Sequence, residues 1–409
     1  MELSLNRSLP PELQIMPFQL RWIERIGLIG PRGRVYRFWL AIGWGTFVIL
    51  FPKAVLGMGS SQLDAIIKGT AELLFEGNLF VAVGLLMLKL PLLKRLVHVM
   101  GEIFLQVTHD EQRLRRKDQC FELICVQNSK IDRFCKFYFI YCCFGPFVFC
   151  IPATVTNYVR YFGAGNESEQ LQFELPMEQE FYGLSIRTNF AHYHLFMVLS
   201  LSAYAVCSYM SVIKVSTLLI MVKYSSLSYR LVAVGVRKLA HLPSLDGAAG
   251  GGTERKLTMM KEIVELHRKA LEVTDLLENI INIPVAMQFL SCILFWCLTM
   301  FYVSTNINYN LFNVMILFWL SLIETFGYSY LGTELTREAQ AVGRAIYELP
   351  WYEENAQLQR YYRLMIQRTQ RETGITAAKF FVVGLDKFGK VINLSYSYYL
   401  VLKDVLGSL

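Results

Sequence analysis

Apolar residues along this chain gather into long blocks separated by polar, charge-rich stretches. A helix needs about 20 predominantly apolar residues to cross the hydrocarbon core of a bilayer. Six blocks reach that length: about Phe38 to Met58, Ile66 to Leu90, Phe137 to Tyr158, Phe190 to Met210, Ile283 to Val303 and Leu311 to Leu331. The block from Ile283 to Val303 contains no charge at all. A seventh, Phe388 to Val405, has an uncharged run only from Val391 to Leu402, too short to read as a lipid-facing span by hydropathy alone. The pattern predicts an all-α, multi-pass membrane protein with seven transmembrane helices.

Lysine and arginine in the connecting stretches set the orientation. The stretch after span two holds Lys94, Arg95, Arg113, Arg115, Arg116 and Lys117. The one after span four includes Lys223, Arg230, Arg237, Lys238, Arg255 and Lys256. The one after span six holds Arg337, Arg344, Arg360, Arg363, Arg368 and Arg371. The loops after spans one and five carry no Lys or Arg, and the loop after span three is rich in glutamate. That last loop contains the sequon Asn166-Glu167-Ser168, a candidate glycosylation site at Asn166 that suits an outside location. The N-terminus is therefore expected in the cytosol and the C-terminus outside. The first 35 residues lack the continuous apolar core of a cleaved signal peptide.

The basic stretches are patterned as well as charged. From Met259 the apolar positions Ile263, Leu266, Ala270, Val273, Leu277 and Ile280 follow at alternating steps of 4 and 3. This is an a/d stripe running directly into span five, and it predicts a cytosolic helical extension packed on its neighbours. Gly247-Ala-Ala-Gly-Gly-Gly252 reads as a flexible loop before it.

Composition agrees. The chain is 54% hydrophobic and 18% charged, below the roughly 25% charge of soluble domains. Its net charge of +7 is accounted for by the cytosolic stretches, so nucleic acid is not an expected partner. None of the nine cysteines falls in an expected outer loop, and no Cys/His set has zinc spacing. No GxSxG, HExxH, P-loop or kinase signature is present, so neither an enzyme nor a cofactor is expected. His192 and His194 face apart on a helix and make a poor metal pair. Lys68, Glu72 and Glu76 form one polar stripe in span two, open to reading as an aqueous vestibule or a solvated rim. Lys214, near the inner end of span four, is expected to snorkel.

The C-terminal stretches Lys379-Phe380-Phe381-Val-Val-Gly-Leu385-Asp386 and Ser395-Tyr396-Ser397-Tyr398-Tyr399-Leu400-Val401-Leu402 resemble the signature of insect odorant receptors. Tyr347-Glu-Leu-Pro-Trp351 resembles another recurring element of that family. Length, inverted seven-span topology and long basic cytosolic segments match over the whole chain. The resemblance implies a ligand-gated, non-selective cation channel in the plasma membrane of a sensory neuron dendrite. Such channels are tetramers with one central pore, in which a tuning receptor assembles with a coreceptor subunit. The coreceptor carries a long insertion between spans four and five. This chain has only a short glycine-rich loop there, so it looks like the odorant-binding tuning subunit. Gustatory-type channels are related, but the Gln-Phe ending they share is replaced here by Lys403-Asp404 after Leu402. A G-protein-coupled receptor would need an outside N-terminus and DRY and NPxxY motifs, which this sequence lacks.

The resemblance divides the chain into a cytosolic segment (1-36), six helices with an outer-half odorant pocket and cytosolic extensions (37-332), a cytosolic anchor segment (333-378) and a pore-lining seventh helix (379-409). In the seventh helix Leu394, Tyr398, Val401 and Val405 share one face, able to close a pore by dewetting. Val401 and Val405 match the family's hydrophobic gate, and Asp404 beside them would attract cations at the outer mouth. The family pocket is formed by spans two, three, four and six. Residues of suitable chemistry are Phe75, Asn78 and Leu79 on span two, and Phe144, Phe147, Val148 and Ile151 on span three. Span four offers Tyr193, Phe196, Met197 and Ser200, and span six offers Phe312, Met315 and Ile316. As a set they suit a small, volatile, apolar odorant, aromatic ones included. Singly, each also suits ordinary packing between helices.

Overall fold

The computed structural model describes residues 4–29, 34–58, 63–108, 119–163, 172–241, 251–306 and 310–406. Asn166, Arg113, Arg115, Arg116, Lys117 and most of the glycine-rich loop lie outside them. The chain is an all-α membrane protein. Its helices are α1 (Ser4–Ser8), α2 (Pro17–Arg25), α3 (Tyr36–Leu56), α4 (Leu63–Leu88), α5 (Leu90–Thr108), α6 (Gln119–Gly163), α7 (Phe190–Ala240), α8 (Gly251–Thr305), α9 (Asn310–Tyr347), α10 (Ala356–Thr369) and α11 (Leu385–Leu406). One short antiparallel hairpin, β1 (Thr376–Ala377) and β2 (Phe381–Val382), precedes α11.

Six of these helices, α3, α4, α6, α7, α8 and α9, are long and apolar enough to span a bilayer. The seventh, α11, is not among them, as its short uncharged run anticipates. Several outrun the membrane. The 51 residues of α7 extend about 77 Å at 1.5 Å each, more than twice a hydrocarbon core of about 30 Å. The surplus of α7, α8 and α9 lies at the basic end and, with α5 and α10, forms a helical layer on the cytosolic side.

The main core lies in that layer. Ile263, Leu266, Ala270, Val273, Leu277 and Ile280 are all buried, as their heptad spacing requires. Thr274 meets Ser225 at 2.9 Å and Tyr229 at 3.0 Å inside this layer. Ion pairs tie the layer together: Lys223 of α7 meets Glu334 of α9 at 2.6 Å, and Lys256 of α8 meets Glu354, just before α10, at 2.6 Å. The hairpin is held where the Thr376 amide donates to Glu278 at 2.8 Å. At the start of α11 the chain passes tightly over Gly332, where an added Cβ would lie 2.5 Å from the Val383 carbonyl oxygen.

Span one is irregular. Thr46–Leu50 and Pro52–Leu56 are π-helical turns, and Pro52 has no amide to offer a regular ladder. The span is also closely packed: a Cβ at Gly45 would lie 2.4 Å from the Phe80 ring of α4.

Lys214 does not snorkel. It is buried, pairs with Glu324 of α9 at 2.7 Å and donates to Gln288 of α8 at 2.9 Å. A partner within reach in the bundle makes the interior preferable to a climb to the interface.

Candidate ligand pocket and pore helix

The outer half of the bundle is built around a segment that sequence periodicity leaves unassigned. Residues 172–189, between spans three and four, fold inward. Phe173, Leu175, Met177, Phe181 and Ile186 are buried there against Tyr193, Phe196 and Met197 of α7. Phe173 stacks on Tyr193 at 4.9 Å, and Asn157 of α6 donates to the Glu174 carbonyl at 2.7 Å and to Tyr193 Oη at 2.9 Å.

A charged cluster fastens the same segment. Lys53 of α3 lies 2.9 Å from Glu72 and 3.0 Å from Glu76 on α4. Lys68 reaches Glu178 at 3.3 Å, and Arg187 pairs with Glu178 at 2.6 Å. Lys53, Lys68, Glu72 and Glu76 are all buried, so the polar stripe of α4 is neither an open vestibule nor a solvated rim. Alternation of sign is what makes this burial tolerable, since an isolated charge there would be costly. No acidic residue lies near Lys53 in sequence, and the pairing needs three separate segments.

Helices α7 and α9 also carry buried polar atoms without hydrogen-bond partners: Ser200 Oγ and Tyr204 Oη of α7 and Asn313 Oδ1 of α9. Tyr204 packs on Phe149 of α6 at 5.0 Å, and Asn313 donates to the Phe149 carbonyl at 3.4 Å. Aromatic walls with a few unsatisfied hydroxyl and amide groups are suited to a small, mostly apolar molecule.

The residues expected from the sequence separate into groups. Tyr193, Phe196, Met197 and Ser200 come together on the buried face of α7. Leu79 is buried and Phe75 half-buried, the latter 5.8 Å from Phe295 of α8. Asn78 turns toward α8, where it donates to Gln288, and so joins the Lys214–Glu324 cluster. Met315 and Ile316 are half-buried. Met315 lines a cleft of about 320 Å³ between α8, α9 and α11 with Thr299, Phe318 and Tyr399.

Phe144, Phe147, Val148 and Ile151 do share one face of α6, but that face points out of the bundle, as does Phe312 of α9. The face turned inward carries Cys142, Pro146, Phe149, Cys150, Ala153 and Asn157. The physical reason is the solvent. Lipid accepts bulky apolar side chains, whereas close helix contact favours small and polar ones. Phe149, Tyr204 and Asn313 were therefore missed. The available signal was the run of small and polar residues at steps of 3 and 4.

On α11, Leu394, Tyr398, Val401 and Val405 are 41%, 48%, 60% and 58% exposed, and Asp404 is exposed beside them. The adjacent face packs inward through Val391, Ser395, Tyr399 and Leu402.

An all-α bundle with six helices long enough to span a bilayer, aromatic packing in its outer half and an exposed apolar stripe on its last helix is the architecture of a multi-pass membrane protein. The model of the 7tm odorant receptor family matches residues 66–396, and the chain belongs to that family. Odorant receptor 33b of Drosophila melanogaster is 28% identical over 185 residues, 43% of this chain and 47% of that protein. The odorant receptor coreceptor of the same species is 26% identical over 166 residues, 39% of this chain and 34% of that protein. Putative odorant receptor 92a is 23% identical over 161 residues, 39% of this chain and 40% of that protein. These matches span less than half the length of each relative. The fold is similar to that of the insect olfactory receptor OR5 from Machilis hrabei in complex with eugenol. The TM-score is 0.68 at 13% identity, over 95% of this chain and 99% of that one. For OR5 described without a ligand the TM-score is 0.62 at 12% identity.

Proposed function

We propose that this chain is an odorant-tuning subunit that assembles with a coreceptor subunit into a tetrameric, ligand-gated cation channel of the plasma membrane in sensory dendrites. The observation that carries this reading is the face of α11. Four large apolar residues, Leu394, Tyr398, Val401 and Val405, form one exposed stripe on a helix that is too short in its apolar run to read as a lipid-facing span. Facing copies of the same stripe around an axis would form a hydrophobic constriction, with Asp404 drawing cations to its mouth. The short connection between α7 and α8 supports the tuning role over that of the coreceptor.

The odorant occupies the region of Ser200, Tyr204 and Asn313, walled by Phe149, Phe196 and Met197. Binding favours the open state to the extent that it contacts that state better. Packing of α9 against α11 beside the cleft lined by Met315, Phe318 and Tyr399 supports coupling between the odorant and the pore helix.

The test is whole-cell current in cells that express the chain with a coreceptor subunit, during application of a panel of apolar volatile odorants. The expected result is an evoked cation current whose reversal or block changes in Val401→Glu and Val401→Lys. An evoked current with the same reversal and block in both variants removes α11 from the pore.

A further inference from the structure

Two grooves open on the membrane-facing surface at the cytosolic end of the bundle, one on each side of Ala205 and Tyr209 of α7. The first, about 370 Å³, is floored by Ile26, Ala41 and Ala205 and rimmed by Arg25 and Arg37. The second, about 350 Å³, runs between α6 and α7 past Cys143, Phe147, Leu201 and Ala205. From Tyr209 to Leu201 the wall of α7 rises about 12 Å toward the bilayer centre.

Depth is marked independently. Tyr36 and Trp39 are exposed next to Arg37, as aromatic residues at a membrane–water boundary are. Helix α2 lies against this boundary, held by the Tyr209 hydroxyl, which donates to the Trp22 carbonyl at 2.8 Å. Trp22 packs on Phe139 at 4.3 Å and on Tyr209 at 5.1 Å. Arg25 sits over the Trp22 ring at 4.9 Å. Among the described residues neither Arg25 nor Arg37 has a carboxylate partner, and both are exposed. Elsewhere on the cytosolic side many exposed cations do find one, as Arg95 finds Glu272 at 2.7 Å. Two guanidiniums on the rim of the first groove, with the second apolar groove starting across Ala205 and Tyr209, form a complementary receptacle for a phosphate with two hydrocarbon chains.

We infer that this surface is a binding site for an anionic glycerophospholipid of the cytosolic leaflet. Arg25 and Arg37 hold the headgroup phosphate, and the acyl chains lie in the two grooves beside Ala205. The outward faces of Phe147 and Leu201 then serve as the chain-contacting wall. The inference is independent of which odorant the chain binds. By fastening α2 to α3 and α7, the lipid ties the N-terminal segment to the membrane.

The test is native mass spectrometry of the full-length protein released from nanodiscs of phosphatidylcholine mixed with phosphatidylserine. The expected result is selective retention of phosphatidylserine, reduced about 25-fold in Arg25→Gln/Arg37→Gln from the loss of two surface cations. Arg25 gives up only an exposed cation–π contact with Trp22, and Arg37 has no carboxylate partner among the described residues, so the elution profile should match the parent and the thermal midpoint should move little. Ala205→Trp, which fills the grooves and leaves both charges, should also lose retention. Equal retention of both lipids, or undiminished phosphatidylserine on either variant, overturns the site. Displacement by inorganic phosphate with no retained lipid shows an anion site only and overturns it as well.

Discussion

The amine of Lys214 and the carboxylate of Glu324 are joined at 2.7 Å inside the bundle, on helices α7 and α9, with Tyr328 donating to Glu324 at 3.0 Å. Removing one partner strands a buried charge, whereas removing both does not. Lys214→Met should therefore destabilise the protein by about 3–5 kcal/mol, and Lys214→Met/Glu324→Gln should recover most of the loss. Thermal midpoints in detergent check this; a double variant no better than the single one would refute the coupling.

Ser200 and Tyr204 offer a cleaner probe of ligand binding than the aromatic residues around them. Their hydroxyls have no partner within the protein, so Tyr204→Phe and Ser200→Ala break no internal hydrogen bond. Each should leave surface expression unchanged. Each should raise the half-maximal concentration of a hydrogen-bonding odorant by about 2- to 12-fold, the worth of one hydrogen bond. Dose–response curves measured with the coreceptor decide the point.

Gly332 faces the Val383 carbonyl so closely that a methyl group cannot enter without moving backbone. Gly332→Ala should cost about 1–3 kcal/mol as overpacking and shift the start of α11. Lower thermal stability together with altered odorant-evoked current is the expected outcome, read on the same preparation.

His267 lies buried in the cytosolic layer, 6.2 Å from the Tyr229 ring. Burial, reinforced by Arg368, lowers its pKa from 6.5 to about 4. Between those values the unfolded chain takes up a proton that the folded chain refuses. Stability should therefore fall as pH is lowered through this window, by about 1.4 kcal/mol per unit from this group. Thermal midpoints across pH should show a shallower slope in His267→Phe.

Much of this architecture is legible along the chain. The heptad from Ile263 to Ile280 announces a packed cytosolic helix, because water on the far face makes apolar spacing informative. Span three shows where such reading stops. Phe147 and Phe149 differ little as residues, yet one faces lipid and the other the pocket. In a membrane both environments are apolar, so hydrophobic periodicity no longer distinguishes inside from outside. Charged residues are equally ambiguous alone. Lys53 and Lys214 became interpretable only beside Glu72, Glu76 and Glu324.

What the sequence determined by itself is the all-α class, the position of the six long apolar segments, the orientation expected from their basic connections and the kinship carried by the C-terminal motif. Those follow from segment length and from the placement of lysine and arginine, which are local quantities. The tertiary structure alone decided which face of each helix turns inward, how residues 172–189 fold into the outer half of the bundle, and which buried charges neutralise one another. Each of these depends on groups distant in the chain meeting within a few ångströms, and one-dimensional spacing carries no record of that.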